Sequence, residues 1–350
     1  MSLSARAGAL RCFLRSVFMN DMAFFCIAAV IIVVAAAALW IFSKKCVRFD
    51  PNSKKTGSPD LSSYVLLFED DFDGTALNTE IWSCEGKTSP RRGGYWDPAC
   101  VYVKNSDLVI DIVYKENGDR GSGWYTGAVR SEPNGKNRGF QQKYGYFECR
   151  CRVPKIKGAW AAFWLMPKGN FENCDINSGK DGSEVDVFES MYAFSPFYPI
   201  KNSVTHAVHI GGYGNGLKSI GSPNFFFKDL YTGYHTYGVL WDETGYTFYI
   251  DGKESWHTKE TCFQGKKYSN VSHIPEYMLL SCEVAGSDRN GNVIPGREYN
   301  KKGKLVRCWN GNPNQNSKAQ TYSFCVDYVR VYGKRGGCTP AEKETAETAK

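Results

Sequence analysis

The chain has 350 residues and a formal net charge of +7 at pH 7. Residues 1–55 hold eight Lys or Arg and two Asp or Glu, so nearly all of this charge lies in an N-terminal leader. The rest of the chain is close to neutral and lacks the basic footprint of a nucleic-acid-binding domain, so we expect no nucleic-acid partner.

The first predicted element is a hydrophobic helix. Residues 22–42, MAFFCIAAVIIVVAAAALWIF, carry no charged side chain over 21 positions, which is long enough to span a bilayer. This segment is either a signal-anchor or a signal peptide cleaved near the alanines. The apolar run continues beyond any small-residue cleavage site, which favours the anchor. Basic residues flank both sides of the segment, so the positive-inside rule does not fix its orientation.

Short alternating apolar runs occupy the chain from about Ser63 to Gly333. Examples are SYVLLF, YGYFECRCRV, AWAAFWLM and YSFCVDYVRVYG, with turn sequences such as NSD, DETG and DGK between such runs. Long helical periodicity is absent after residue 50. The pattern predicts one all-β domain, a sandwich or jelly roll whose broad concave sheet could hold an extended ligand. We expect a linker over 43–62, the domain over 63–335 and a disordered tail over 336–350.

Ten of the thirteen cysteines follow the leader, nine of them in the predicted domain and Cys338 in the tail. An even number suits disulfides if the domain is outside the cell. Cys149 and Cys151 share a face in YFECRCRV, and they could equally be small buried side chains. Asn270-Val271-Ser272 is a glycosylation sequon, although so short a triplet often occurs by chance.

A cluster of acids stands in the middle of the domain, in GSEVDVFES (residues 182–190). β-Formers separate the acids, so the segment is predicted as a strand and not as a solvated charge run. Glu184 and Asp186 are two apart and share a face, whereas Glu189 would point the other way in a regular strand. A β-bulge at Val187–Phe188 would return Glu189 to the face of the other two acids.

Three carboxylates on one face cannot all ionise freely, so at least one pKa should rise. One ionised and one protonated acid side by side are what glycoside hydrolysis requires, and retention of configuration places them about 5 Å apart. Glu184 and Glu189 could supply the pair, with Asp186 assisting. The alternative interpretation is three surface acids on an edge strand.

Aromatic residues support a sugar cleft. In GAWAAFWLMP, Trp160 and Trp164 lie four apart on one face of the predicted strand, where they could stack on sugar rings or pack in the core. Phe163 and Leu165 point the other way and are better candidates for the core.

The segments in their order resemble glycoside hydrolase family 16. GSEVDVFES matches the bulged E-x-D-x-x-E motif of its laminarinase-like members. FEDDFDG, YTGAVRS, YGYFECRCRVP and GAWAAFWLMP precede the motif, and THAVH, YHTYGVLWDETGYTFYIDGK and VDYVRVYG follow it. The resemblance covers roughly residues 64–333.

The resemblance implies a β-jelly roll with an open glycan cleft and retaining chemistry. It assigns Glu184 as nucleophile, Glu189 as acid/base and Asp186 as the assisting acid. It implies that Trp160 and Trp164 stack on sugars and that His209 lies in the cleft. His206 is three positions before His209, so we expect it on the opposite face of the strand, in a structural role.

Two further expectations follow from the family. Arg130 either reaches the glycan or forms a salt bridge to a neighbouring strand. No cofactor is required, but some members bind calcium away from the cleft, for which Glu69 and Asp327 are the matching positions.

The expected function is a retaining endo-hydrolase of β-1,3-linked or mixed-linkage glucan. The alternatives are a transglycosylase that remodels cell-wall β-glucan and a catalytically silent glucan-binding protein, which the intact acids disfavour. Cys100, where laminarinase-like members often carry an asparagine, leaves the polysaccharide open. Such substrates lie outside the cell or in the secretory lumen, so we expect residues 1–21 in the cytosol and a monomeric catalytic domain that is membrane-anchored or secreted.

Overall fold

The computed structural model describes most of the predicted domain and little of the leader. The described ranges are 30–34, 46–50, 57–84, 88–169, 177–191, 202–213, 216–284, 297–299, 305–308 and 318–335. Residues 30–34 are helical. The described part of the chain has no helix of the length and apolar character needed to cross a membrane. Most of the predicted anchor at 22–42, and the tail at 336–350, lie outside these ranges.

Strands are the main regular elements of the described chain, and short 3-10 turns occur at Pro98–Cys100 and at residues 318–319. In chain order the strands are β1 (Cys46–Arg48), β2 (Tyr64–Asp70), β3 (Ser83–Cys84), β4 (Ser89–Arg91), β5 (Gly94–Trp96), β6 (Val101–Lys104), β7 (Asp107–Gly118), β8 (Gly121–Thr126), β9 (Ala128–Arg130), β10 (Gln141–Gln142), β11 (Gly145–Arg152), β12 (Ala159–Pro167), β13 (Glu184–Met191), β14 (Ser203–Ile210), β15 (Lys218–Gly221), β16 (Asn224–Phe226), β17 (His235–Asp242), β18 (Gly245–Ile250), β19 (Lys253–Thr258), β20 (Glu260–Phe263), β21 (Lys266–Ser269), β22 (Glu276–Val284), β23 (Arg297–Tyr299), β24 (Leu305–Cys308) and β25 (Tyr322–Lys334).

Two large sheets contain most of these strands. The sheet that carries the acids, here called the cleft sheet, runs β16-β14-β13-β12-β22-β9-β3, with β15 beside β14 and β10 beside β22. The opposite sheet runs β19-β18-β17-β11-β25-β7-β8-β5-β4, with β2 beside β25 and β6 beside β7. The fold is therefore the all-β sandwich that the sequence predicts.

The core lies between the two sheets and is strongly aromatic. Phe188 of β13 stacks on Tyr237 of β17, with ring centroids 4.1 Å apart. Phe163 and Leu165 of β12 are fully buried, as predicted from their side of the strand. Large rings bury more apolar area than any other side chains, so these contacts hold the cleft sheet against its partner.

Six cysteines of the described chain are free thiols. They are Cys100, Cys149, Cys151, Cys262, Cys282 and Cys325. Cys149 and Cys151 are buried with their Sγ atoms 3.9 Å apart, so for this pair the small-side-chain interpretation is confirmed. The structure does not describe the side chains of Cys174, Cys308 and Cys338, so disulfides that involve them stay a prediction.

The sequon asparagine is also buried. Asn270 is 1% exposed, and its Nδ2 donates hydrogen bonds to the hydroxyls of Thr258 and Thr261. A glycan on Nδ2 would break both bonds, so the folded domain does not present this sequon for modification.

Candidate active site

Strand β13, which holds the three acids, carries the predicted bulge. Phe163 pairs with Phe188 and Trp164 with Asp186, so Val187 is the extra residue on β13. The pairing with β14 shifts at the same place, between Asp186 and Glu189. Val187 and Phe188 both belong to the core cluster. Placing these two neighbours on the core side returns Glu189 to the cleft side, as predicted.

A cavity of about 490 Å³ on the cleft sheet contains all three acids. It is lined by acids, bases, aromatic rings and small polar groups: Arg91, Arg92, Trp160, Ala162, Trp164, Glu184, Asp186, Glu189, Met191, His209, Tyr213, Leu217, Ser219, Ser281 and Glu283. A pocket of this size with a few convergent polar groups is the usual form of a ligand site.

Both glutamates hold their protons more tightly than an ordinary glutamate. Burial and the charge of Asp186 raise the pKa of Glu184 to about 7, against opposing effects of His209, Tyr213 and Arg91. Burial and the same aspartate raise the pKa of Glu189 to about 8. Acids that interact in this way lose their protons one after the other, so near neutral pH one is ionised while another keeps its proton. A nucleophile and an acid/base need such a division.

His209 supplies the positive charge in this acidic cluster. Its Nε2 lies 3.0 Å from Oδ2 of Asp186 and 3.8 Å from Oε1 of Glu184, and its Nδ1 lies 2.6 Å from the hydroxyl of Ser219. Burial lowers the pKa of His209, but the hydrogen bond and charge of Asp186 outweigh that effect and raise it to about 9. His209 is therefore a cation that partly neutralises the acids.

His206 points to the other side of β14, as predicted from its spacing. It is fully buried, with Nδ1 2.6 Å from the carbonyl oxygen of Val187 and Nε2 2.8 Å from the hydroxyl of Ser255. Burial lowers its pKa to about 4, so the ring is neutral. Its contact with Val187 ties β14 to the bulge, which is a structural role.

The start of the catalytic strand is fixed by two further residues. Gly182 has φ of +76°, and an added Cβ would collide with the ring of Pro167. The next residue, Ser183, donates its backbone N–H to Oε1 of Glu276 over 2.9 Å. Glu276 is fully buried, and burial raises its pKa to about 8. The close approach of Gly182 to Pro167 and the hydrogen bond of Ser183 together set the position of Glu184.

The two predicted tryptophans both line the cavity, but in different surroundings. Trp164 donates its indole N–H to the hydroxyl of Ser281 over 3.1 Å. Over Trp160 lies the guanidinium of Arg92, 4.5 Å from the ring centroid. A sugar can therefore stack on Trp160 only at the ring face away from Arg92, or after Arg92 moves. Sugar stacking by either residue stays a prediction.

An arginine pair forms one wall of the cavity. Nε of Arg91 and Nε of Arg92 each lie 2.6 Å from one carboxylate oxygen of Glu283, which is 5% exposed. Arg91 also lies over the ring of Trp96, 4.5 Å from its centroid. Arg92 has φ of +53°, a strained conformation outside glycine that often marks a functional position. Among the described residues, the wall thus places two guanidinium groups beside one carboxylate.

Three predicted residues lie elsewhere. Arg130 is not among the residues that line the cavity, and its Nη1 lies 3.4 Å from Oε2 of Glu132. Glu69 accepts a hydrogen bond from Arg330, and Asp327 accepts one from Arg150. Since each carboxylate is engaged by a different arginine, the two positions do not fit a shared calcium site.

Another group has metal-ligating side chains close together. In the described part of the chain, only the ligand atoms of Glu184, Asp186 and His209 form such a group, all within 4.8 Å of one another. A protonated His209 does not ligate a cation, and its charge already compensates the acids. The described geometry is that of an ion-pair cluster.

Sequence reasoning missed nine of the fifteen residues that line the cavity, among them Arg91, Arg92, Glu283 and Tyr213. The sequence around each of these four residues does carry a signal. PRRGGYW places two arginines beside a glycine turn, and EYMLLSCEV places Glu283 in a fully buried strand. IGGYGNG places an aromatic residue among glycines directly after the histidine strand.

Comparison with known proteins agrees with this geometry. The family model of the GH16 domain of β-porphyranases A–D matches residues 65–333. The chain is 24% identical over 298 residues to glucan endo-1,3-β-glucosidase A1 of Niallia circulans, covering 78% of this chain and 38% of the relative. It is 31% identical over 255 residues to the endo-1,3-1,4-β-glycanase EglC of Rhizobium meliloti (strain 1021), covering 65% of this chain and 48% of the relative. The chain thus spans less than half the length of these curated relatives.

A solved structure shows the same fold. The laminarinase catalytic domain of Thermotoga maritima superposes with a TM-score of 0.56 at 20% identity, covering 78% of this chain and 100% of that domain.

Proposed function

The chain belongs to glycoside hydrolase family 16, and from this premise we propose that it is a retaining endo-hydrolase of β-1,3-linked or mixed-linkage β-glucan. The observation that carries the proposal is the placement of Glu184 and Glu189 on one side of the bulged strand, with Asp186 between them, in one cavity. The glucan substrate is supported by the names of the curated relatives, which are glucan endo-hydrolases.

The reaction proceeds in two displacements. In the first, a carboxylate oxygen of Glu184 bonds to the anomeric carbon while the glycosidic bond breaks, and Glu189 gives its proton to the leaving oxygen. In the second, Glu189 takes a proton from water, the water oxygen bonds to the anomeric carbon, and the bond to Glu184 breaks. Two inversions leave the product with its original β configuration.

Asp186 and His209 adjust the charge of this pair. The charge of Asp186 favours retention of the proton on the neighbouring glutamates, whose pKa values it raises. His209, as a cation 3.0 Å from Asp186, limits that rise and keeps Glu184 able to ionise near neutral pH. The two residues therefore tune the pair without reacting themselves.

A second candidate substrate is a negatively charged polysaccharide. The arginine wall favours it, because Arg91 and Arg92 place two guanidinium groups on the cavity and a neutral glucan has no charge for them to bind. The matched family model, that of β-porphyranases, also lies outside the glucanases.

Product analysis decides between these functions. The full chain is incubated with laminarin, mixed-linkage glucan, porphyran, agarose and carrageenan, each with and without an added oligosaccharide acceptor. Short oligosaccharides from laminarin support the glucanase, and cleavage of porphyran alone supports the second candidate. Chain-extended products with the acceptor indicate a transglycosylase. If every polymer stays intact, the proposed catalysis is wrong and a binding protein remains.

We further propose that residues 22–42 anchor the protein in a membrane with the catalytic domain on the extracytoplasmic side. The uncharged run of 21 residues supports the anchor, and the location of polysaccharide substrates supports the orientation. Protease added to intact cells, and to intact membrane vesicles with the opposite side outward, tests this topology. The orientation is refuted if only the cytosolic side gives digestion of the domain.

A further inference from the structure

Tyr213 reaches the carboxylate of Glu184 from a loop that follows β14. Gly211 and Gly212 have φ of +80° and +71°, conformations that glycine adopts without strain, and they turn the chain back over the cavity. The hydroxyl of Tyr213 donates a hydrogen bond to Oε2 of Glu184 and lies 3.7 Å from Sδ of Met166. The residue as a whole is 55% exposed.

The contact distinguishes the two oxygens of the carboxylate. Oε2 is held by Tyr213, whereas Oε1 faces His209 at 3.8 Å, beyond hydrogen-bond distance. An oxygen that accepts a strong hydrogen bond is the weaker nucleophile of the two, because the donor withdraws its lone-pair density. Oε1 is therefore the oxygen better prepared to attack.

On the basis of the proposed glycosidase function, we propose that Tyr213 is a further catalytic residue. Its hydroxyl holds Oε2 of Glu184, so that Oε1 attacks the anomeric carbon. In the second displacement the same hydroxyl stabilises the carboxylate of Glu184 as the leaving group. In the first step the Oε1–carbon bond forms, and Oε2 becomes the carbonyl oxygen of the ester. In the second step water forms the new bond, the Oε1–carbon electron pair returns to Glu184, and Tyr213 donates to the regenerated anion. Tyr213 keeps its proton throughout.

The tyrosine is suited to this role because it stays neutral. Burial of the hydroxyl and the charge of Glu184 raise the pKa of Tyr213 far above its ordinary value. The group is thus a permanent donor over the working pH range. A hydrogen bond to an ionised acceptor is among the stronger neutral-donor contacts in proteins.

Other charges act on Glu184 as well, so the effect of Tyr213 must be separated from theirs. The charges that influence Glu184 come from its own strand, from β14 and from the arginine wall: Asp186, Glu189, His209 and Arg91. Replacing Tyr213 by Phe removes the hydroxyl and leaves each of these charged side chains in the protein. Tyr102→Phe is the matched control, because Tyr102 donates to a carboxylate of Asp111 on the opposite sheet.

The first measurement needs no substrate. The full chain is labelled with ¹³C at the glutamate carboxyls, and the Glu184 signal is assigned by its loss in Glu184→Gln and titrated by NMR. We expect the pKa of Glu184 to rise by roughly one unit in Tyr213→Phe, and to be unchanged in Tyr102→Phe. An unchanged Glu184 pKa in Tyr213→Phe refutes the contact, whatever the enzyme cleaves.

The second measurement separates the two chemical steps. With an activated aryl β-glucoside oligosaccharide, Tyr213→Phe should show a burst of phenol followed by a steady rate that is lower by roughly tenfold to a hundredfold. A steady rate equal to that of the wild type overturns the leaving-group role. Failure of the wild type to cleave any substrate refutes the proposed function instead, and the NMR result still decides whether Tyr213 holds Glu184.

Discussion

Replacing Glu189 by Gln should separate the proton-donating role of this residue from the rest of the site. Gln has almost the same size as Glu but has no acidic proton, so the cleft keeps its shape. On glucan, whose leaving alcohol needs that proton, the rate should fall by roughly 10²–10⁴-fold. On an aryl glycoside with an acidic phenol, the first displacement should persist because its leaving group departs without a proton.

The pH dependence of the rate follows from the two raised pKa values. Catalysis requires ionised Glu184, whose pKa is about 7, and protonated Glu189, whose pKa is about 8. The wild-type rate on glucan should therefore rise through about pH 7 and fall through about pH 8. These limits belong to the coupled pair, so the optimum is narrow. In Glu189→Gln, the first step on the aryl glycoside should keep the rising limb and lose the falling limb.

The assay is stopped-flow release of the phenol across the pH range, together with steady-state release of reducing ends from glucan. Glu132→Gln is the matched control, because Glu132 forms an ion pair with Arg130 outside the cavity. The control should keep both limbs and nearly the full rate. If Glu189→Gln retains a falling limb on the aryl glycoside, another group is the acid and the assignment of Glu189 is wrong.

Three further predictions test neighbouring groups. Glu184→Ala should abolish hydrolysis, and added azide should then give a glycosyl azide of inverted configuration, detected by NMR; retained configuration would contradict the nucleophile. Asp186→Asn should lower the rate on glucan without abolishing it, since Asp186 tunes the pair, and a complete loss in a folded variant would refute that role. Glu276 has a pKa near 8 when folded and an ordinary value of 4.5. The unfolded chain therefore loses its proton first as the pH rises, so Glu276 lowers the free energy of unfolding progressively between these values. Denaturant titrations of Glu276→Gln should show a flatter pH dependence than the wild type, and an unchanged slope would contradict the buried proton.

The local features of the catalytic strand were predictable from the sequence because they depend on side-chain alternation. A period of two sets the faces of Glu184 and Asp186, and one extra residue is enough to return Glu189 to them. The same rule separated His209 from His206, and Phe163 from Trp164. Each of these predictions concerns the face of a single strand to which a side chain points.

Contacts between distant segments were not predictable. Arg91 and Arg92 meet Glu283 across about 190 positions, and nothing in PRRGGYW indicates this partner. The same arginine lies over Trp160, a residue for which the sequence predicted sugar stacking or core packing but no cationic neighbour. Likewise, Glu69 and Asp327 seemed available for calcium because their arginine partners belong to positions that only the folded sheet brings near.

The loop that carries Tyr213 shows a third limit. Its glycines indicate a turn, but the direction of the turn depends on two positive φ values that sequence alone does not specify. Once the loop lies over β13, the tyrosine becomes part of the cavity. Sequence patterns predicted the acids of β13 and His209. The arginine wall and Tyr213 became visible only in the tertiary structure.

The stereochemistry of the first product tests the central claim most directly. Wild-type full-length protein is mixed with laminarin in deuterated water, and the anomeric proton of the new reducing end is followed by NMR from the first minutes. Double displacement through Glu184 predicts that the β-anomer appears first and that the α-anomer grows later by mutarotation. An α-anomer that appears first would show a single inverting displacement by water, and would contradict Glu184 as a nucleophile.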